Sequence, residues 1–140
     1  MNGSLPVLLF DLDGTLSDNY EGISRSIRHA LERLGVPAPD ETTLRACVGP
    51  PLRESLARLL PSPDVVAIEA ALAAYRERFD DVGWRENAVY DGVPEALAAL
   101  AADGARMYVC TSKPEVFATR IVAHFGLDAL VTRVYGVDLA

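Results

Sequence analysis

The chain has 140 residues, half of them hydrophobic, a formal net charge of −7 and a pI near 4.7. That length allows one ordinary domain or a small domain with an insertion, the apolar content excludes a disordered chain, and the acidity argues against a nucleic-acid or anionic-membrane partner. Only one of the 13 basic residues is a lysine, Lys113, and the two cysteines, Cys47 and Cys110, form neither a CxxC pair nor a disulfide framework, which fits a reducing cytosol.

From the N-terminus, the largely apolar run Leu5 to Phe10 stops at Asp11. It is too short for a signal peptide or a membrane span, so the expected location is the cytoplasm. Within it, Val7-Leu8-Leu9-Phe10 reads as a strand buried on both faces, as in the middle of a parallel sheet. Asp18 and Glu21 form a variant capping box for a helix carrying Ile23, Ile27, Ala30, Leu31 and Leu34 on one face, stopped by Gly35 and Pro37. Asp40 starts another helix, Gly49-Pro50-Pro51 breaks the chain, and Leu52, Leu56, Leu59 and Leu60 mark a third. Ser62-Pro63-Asp64 opens a fourth, with Val65, Ile68, Leu72 and Tyr75. Residues 19–80 are therefore almost entirely helical.

The pattern then changes. Tyr90 to Pro94 turns into a helix with Val93, Leu97 and Leu100, ended by Gly104. Met107 to Cys110 is a second apolar strand, and Pro114 suits the first turn of a helix with Phe117, Ile121 and Phe125 on one face. Leu130 to Val137 is a third strand. Strands alternating with helices imply an α/β fold, a Rossmann-like parallel sheet of about three strands with a helical insertion after the first. The expected division is a discontinuous core, 1–18 and 84–140, and a helical cap, 19–83.

Ligands of such sheets sit beyond the C-terminal strand ends. Two of those ends carry polar residues here: Asp11 and Asp13 after the first strand, Thr111 and Ser112 after the second. Asp11 and Asp13, two apart, project to the same side, and their carboxylates repel unless a cation lies between them. Magnesium takes one or two carboxylates, waters and a substrate phosphate. With charge so offset, one aspartate can attack a phosphate as a covalent nucleophile while the other protonates the leaving oxygen and then deprotonates water. Gly14 allows a tight turn beside the ligand, and Thr111 with the following backbone N–H groups can hold phosphate oxygens. An EF-hand calcium loop also begins Asp-x-Asp, but Gly14 falls two positions early and Gly22 stands where the twelfth-position glutamate is required.

These residues carry a resemblance. Asp11-Leu12-Asp13-Gly14-Thr15-Leu16 after a hydrophobic strand is similar to the first motif of the haloacid dehalogenase superfamily, and Val109 to Pro114 to the second. The intervening helices look like that family's cap. Val48 to Leu52 and Tyr90 to Val93 resemble segments of its phosphoglycolate phosphatase-like branch. The resemblance implies a magnesium-dependent phosphohydrolase acting on phosphate monoesters of small metabolites, phosphoglycolate among them, through a phospho-aspartyl intermediate. In that scheme Asp11 is the nucleophile and a magnesium ligand, and Asp13 is the acid/base whose carbonyl also serves the metal. Thr111, Ser112 and Gly14 bind phosphate, and the cap closes over the site.

The family's third motif, a lysine, and its fourth, an acidic segment, fall beyond Ala140, so the chain is expected to be truncated. The first strand would then be an apolar sheet edge, and the protein weakly stable or self-associating through it. Lys113, beside the second motif, is a weak candidate for the missing lysine and reads first as a solvated residue at a helix start. Arg53, with Arg45, flanks the Gly49-Pro50-Pro51 loop and could meet a substrate carboxylate, but a solvated helix face is the plainer reading. His29 and His124 read as partly exposed helix residues and Trp84 as packing. Two rivals stand: a catalytically inactive fragment that binds only phosphate or a partner chain, and a phosphoacceptor signalling domain. The latter lacks a long helical insertion and would need an aspartate on a later strand, where Asp138 is the nearest.

Overall fold

The structure, a computed structural model, describes residues 6–139. The chain forms two compact units, one built from the segments up to Asp18 and from Ala88 onward, the other from Asn19–Asn87.

The first unit is a parallel sheet of β1 (Val7–Phe10), β4 (Arg106–Pro114) and β5 (Arg133–Val137), in the order β1-β4-β5. Two helices, α5 (Val93–Ala102) and α6 (Glu115–His124), make the connections into β4 and β5. Both connections step the same way along the sheet, and right-handed crossovers then place both helices on one face. The burial alternates accordingly. Leu8 and Phe10 are in register with buried Met107 and Val109, whereas Val7 and Leu9 on the opposite face are 50% and 67% exposed. Among the described residues β1 is thus the edge strand, as expected, but one of its faces is exposed, which corrects the reading of a strand buried on both faces. A small antiparallel ribbon, β2 (Ser17–Asp18) with β3 (Ala88–Val89), follows the first loop; two-residue strands leave no periodicity to read in a sequence. The third strand starts at Arg133 rather than Leu130, because Leu127–Ala129 forms a turn of 3-10 helix.

The second unit is helical: α1 (Tyr20–Arg33), α2 (Glu41–Arg45), α3 (Leu52–Leu59) and α4 (Val65–Asp81), then a short 3-10 turn, Gly83–Arg85. Its core joins Ile23, Ile27, Ala30 and Leu31 of α1 to Leu72, Tyr75 and Phe79 of α4, with Leu44 and Leu56 also buried. Each fully buried large side chain contributes roughly 1.5–3 kcal/mol. The exposed ion pairs Arg53–Glu69, Arg45–Glu41 and Arg33–Glu77 contribute about 0–1 kcal/mol each, so packing holds this unit together. Asp40 and Asp64 cap α2 and α4, accepting from the backbone N–H of Thr43 and Ala67, both at 2.8 Å. The N-cap of α1 falls one residue beyond the expected Asp18. Asp18 belongs to β2, and Asn19 is the N-cap of α1 without a side-chain capping bond.

One charged cluster here is largely buried. Arg78 grips Glu86 with both terminal nitrogens, at 2.8 and 3.0 Å, and also donates to Ser26 Oγ at 3.2 Å. Arg25 adds a further bond to Glu86 at 2.8 Å. Hydrogen bonding from Arg78, with a smaller contribution from Arg25, holds the Glu86 carboxyl below its ordinary value. A carboxyl whose folded pKa is depressed stabilises the fold above its unfolded pKa, about 4.3, and that contribution is lost as pH falls through the folded value. Glu86→Gln is therefore expected to lower stability at neutral pH and to flatten its decline below about pH 4.3. Urea midpoints measured across pH 3–7 test this; parallel curves for the two proteins would refute it.

Candidate active site

All sequence-predicted site residues except Arg53 fall in the sheet unit, at the C-terminal ends of β1 and β4. These two strands are neighbours in register, Phe10 opposite Val109, so the chain beyond them comes together.

The loop after β1 is tightly wound. The Leu12 carbonyl accepts from the N–H groups of Thr15, Leu16 and Ser17 at 3.2, 3.0 and 3.2 Å, and the Gly14 N–H donates to the Ser17 carbonyl at 2.8 Å. Gly14 has φ +77°, a conformation that side chains beyond glycine strain to adopt. Leu12 and Leu16 anchor the loop in the core, at 0% and 3% exposure. Asp11 lies exposed, its Oδ1 accepting from the Leu12 N–H at 2.7 Å.

Asp13 turns inward and meets Lys113. Lys113 Nζ lies 3.1 Å from Asp13 Oδ2, with the two side chains only 6% and 12% exposed. The other oxygen, Asp13 Oδ1, is buried without a hydrogen-bond partner, as is Ser17 Oγ. The reading of Lys113 as a solvated residue is thereby corrected: it is buried and paired. β4 does not stop at Cys110 but runs to Pro114, which is the N-cap of α6. The pairing of β4 with β5 shifts register between Cys110 and Pro114, so simple alternation along this stretch does not forecast which side Lys113 takes. The Lys113 N–H donates to Thr111 Oγ1 at 3.1 Å. Ser112 between them is exposed.

Farther along, β5 approaches the start of α6 closely. A Cβ on Gly136 would lie 2.5 Å from both Glu115 Cα and the Lys113 carbonyl oxygen, and the Gly136 N–H donates to the Glu115 carboxylate at 3.2 Å. That contact braces the segment carrying Thr111 and Lys113. Arg53 lies in the helical unit, paired with Glu69, and Arg45 stacks over the Tyr20 ring with its guanidinium carbon 4.2 Å from the centroid. His124 is exposed, His29 is half-buried, and Trp84 is half-buried beside Arg85.

The donor set suits a hard divalent cation. Two carboxylates lie two residues apart on one loop, and an unsatisfied buried carboxylate oxygen lacks a donor. Magnesium needs no more than one or two carboxylates, completing its shell with water and substrate oxygens. No group of three or more His, Cys, Asp or Glu side chains converges among the described residues.

A parallel sheet with aspartates at the end of its first strand and a threonine at the end of its neighbour defines a Rossmann-like α/β protein with its functional groups at the strand ends. The haloacid dehalogenase-like hydrolase model matches residues 8–140, and the chain belongs to that family. It is 47% identical to a 5'-nucleotidase of Pseudomonas aeruginosa over 96% of this chain and 60% of that protein. It is 41% identical to the tyrosine-protein kinase PtkA of Mycobacterium tuberculosis over 87% of this chain and 41% of that protein. Among solved structures, a protein described as a predicted phosphatase from Clostridium acetobutylicum aligns with a TM-score of 0.89 at 38% identity, covering 96% of this chain and 62% of the other. Phosphoglycolate phosphatases of several bacteria match at 30–32% identity. The chain thus spans about 60% or less of the length of these relatives.

Proposed function

We propose that this chain carries the nucleophile half of a magnesium-dependent phosphohydrolase for small phosphate monoesters. The observation behind the reading is the loop after β1, where an exposed Asp11 stands two residues from a buried Asp13 held by Lys113 through one oxygen only. Asp11 attacks phosphorus, an Asp11 O–P bond forms and the ester P–O bond breaks. Asp13 takes up a proton as the phosphate monoester binds, gives it to the leaving oxygen, and then takes one from the water that attacks the phospho-aspartate. That second attack releases inorganic phosphate and restores the Asp11 carboxylate. Thr111, the Ser112 N–H and Gly14 hold the phosphate oxygens. Asp11 and the backbone carbonyl of Asp13 would hold magnesium, which supplies charge neutralisation to the transferring phosphoryl group. Residues 19–87, which include Arg53, act as the cap that selects the substrate. Nucleoside 5'-monophosphates and phosphoglycolate are the candidate substrates, from the relatives that carry those activities. The protein works in the cytoplasm.

The test is release of p-nitrophenol from p-nitrophenyl phosphate by the purified chain with magnesium, followed by a panel containing AMP, UMP and phosphoglycolate. Activity that disappears with chelator supports the proposal. A folded protein with no activity, and none after its C-terminus is extended to the length of its relatives, sinks it.

The second reading, an inactive binding chain, draws on one observation: among the described residues β1 is the sheet's edge strand, with Val7 and Leu9 exposed. Unpaired strand edges recruit further strands. Self-association is accordingly expected in sedimentation velocity at micromolar concentration, and Leu9→Lys should reduce it. A concentration-independent monomer would remove the argument.

A further inference from the structure

We propose that Lys113 is a resident counter-cation of the aspartate loop, competing with the divalent cation while favouring the phosphate. This rests on the metal reading above and goes beyond it. A lysine taken out of water must have a partner, and here the ammonium lies 3.1 Å from Asp13 Oδ2 with both side chains close to nine-tenths buried. The contact neutralises one of the two negative charges that would otherwise draw a cation to the loop. A divalent ion arriving at Asp11 and Asp13 therefore meets a carboxylate already compensated, and a like charge close by. In a partly buried site, a unit charge at such range alters cation affinity on the order of tenfold after screening. The sign reverses for the substrate. A phosphate approaching two aspartates and a metal gains from the same ammonium, so Lys113 trades affinity for the metal alone against affinity for the anion. Its position is set by structure rather than chance: β4 runs on to Pro114, and Gly136 packs directly against the Lys113 carbonyl oxygen.

A residue that only held the loop in shape would, once removed, weaken both ions. A counter-cation moves them in opposite directions. The experiment is Mn2+ binding to the 140-residue chain by electron paramagnetic resonance, then inorganic phosphate binding at saturating Mg2+ by calorimetry, for the parent, Lys113→Met, Lys113→Arg and Asp11→Asn. Methionine fills the buried channel without charge; Lys113→Gln replaces it if that variant fails to fold. The expected result is Mn2+ bound about tenfold more tightly by Lys113→Met, phosphate bound more weakly, and Lys113→Arg behaving as the parent. Equal Mn2+ affinity in the parent and Lys113→Met, or weaker binding of both ions in the variant, overturns the inference; loss of Mn2+ binding in Asp11→Asn then shows that the metal reading survives it. No Mn2+ binding at millimolar concentration in any variant, or binding unchanged by Asp11→Asn, overturns both.

Discussion

Gly22→Ala should lower the stability of the helical unit by about 3 kcal/mol or more, a large fraction of the total for a marginally stable domain. Gly22 sits in the first turn of α1, and a Cβ there would lie 2.0 Å from the Gly83 carbonyl oxygen, 3.0 Å from Gly83 C and 3.1 Å from the Glu86 carbonyl oxygen. All three are backbone atoms, so no rotamer change relieves the overlap. The Gly22 N–H donates to that same Glu86 carbonyl at 3.1 Å, and the network of Arg78 and Arg25 on Glu86 clamps the same segment. Alanine ordinarily stabilises a helix interior over glycine by about 1 kcal/mol, which is too little to offset a clash of this kind. Gly83→Ala should cost less. Its Cβ meets Ser26 Oγ at 2.7 Å and Phe79 Cδ2 at 2.9 Å, both side-chain atoms with some freedom to shift. Chemical denaturation of the two variants separates the cases. A Gly22→Ala protein as stable as the parent would mean that the turn at Gly83–Arg85 does not approach α1 as described.

If Asp11 is the nucleophile as proposed, Asp11→Asn should abolish phosphatase activity, by on the order of 10³-fold or more, because its removal removes the step itself rather than tuning it. Asp11 is exposed at a strand end, and the hydrogen bond it accepts from the Leu12 N–H can equally be accepted by an amide oxygen. The substitution should leave the fold and melting temperature unchanged, so lost activity can be read as lost chemistry. Asp11→Glu, with its carboxylate displaced by a methylene, should also fail, since a misplacement of about 1 Å costs on the order of a hundredfold. Asp13→Asn should behave differently. It leaves Lys113 buried beside a neutral partner, so it costs stability as well as activity, about 3–5 kcal/mol for a broken buried pair. Full activity in Asp11→Asn would exclude Asp11 as the nucleophile.

Much of this protein was legible in its sequence, because the signals were local. Helical spacing of Ile23, Ile27, Ala30 and Leu31 marked the core face of α1, and Asp40 and Asp64 announced the starts of α2 and α4. The apolar run ending in Asp11 located the end of β1, and the run up to Cys110 located the body of β4, which continues to Pro114. Periodicity and capping act over one or two helical turns, so a single chain displays them. The rest depended on which elements become neighbours. β1 has the composition of a strand buried on both faces, yet among the described residues Val7 and Leu9 are exposed, since which face the helices cover is decided by the direction of the crossovers and not by the strand's own residues. Asp18 and Glu21 satisfy a capping pattern, but pairing of Asp18 with Ala88 across the ribbon draws it into β2. Lys113 looked like surface because lysines mostly are; only the register of β4 beside β1 brings its ammonium to Asp13, a contact across 100 residues of chain whose strength comes from burial that no local pattern encodes.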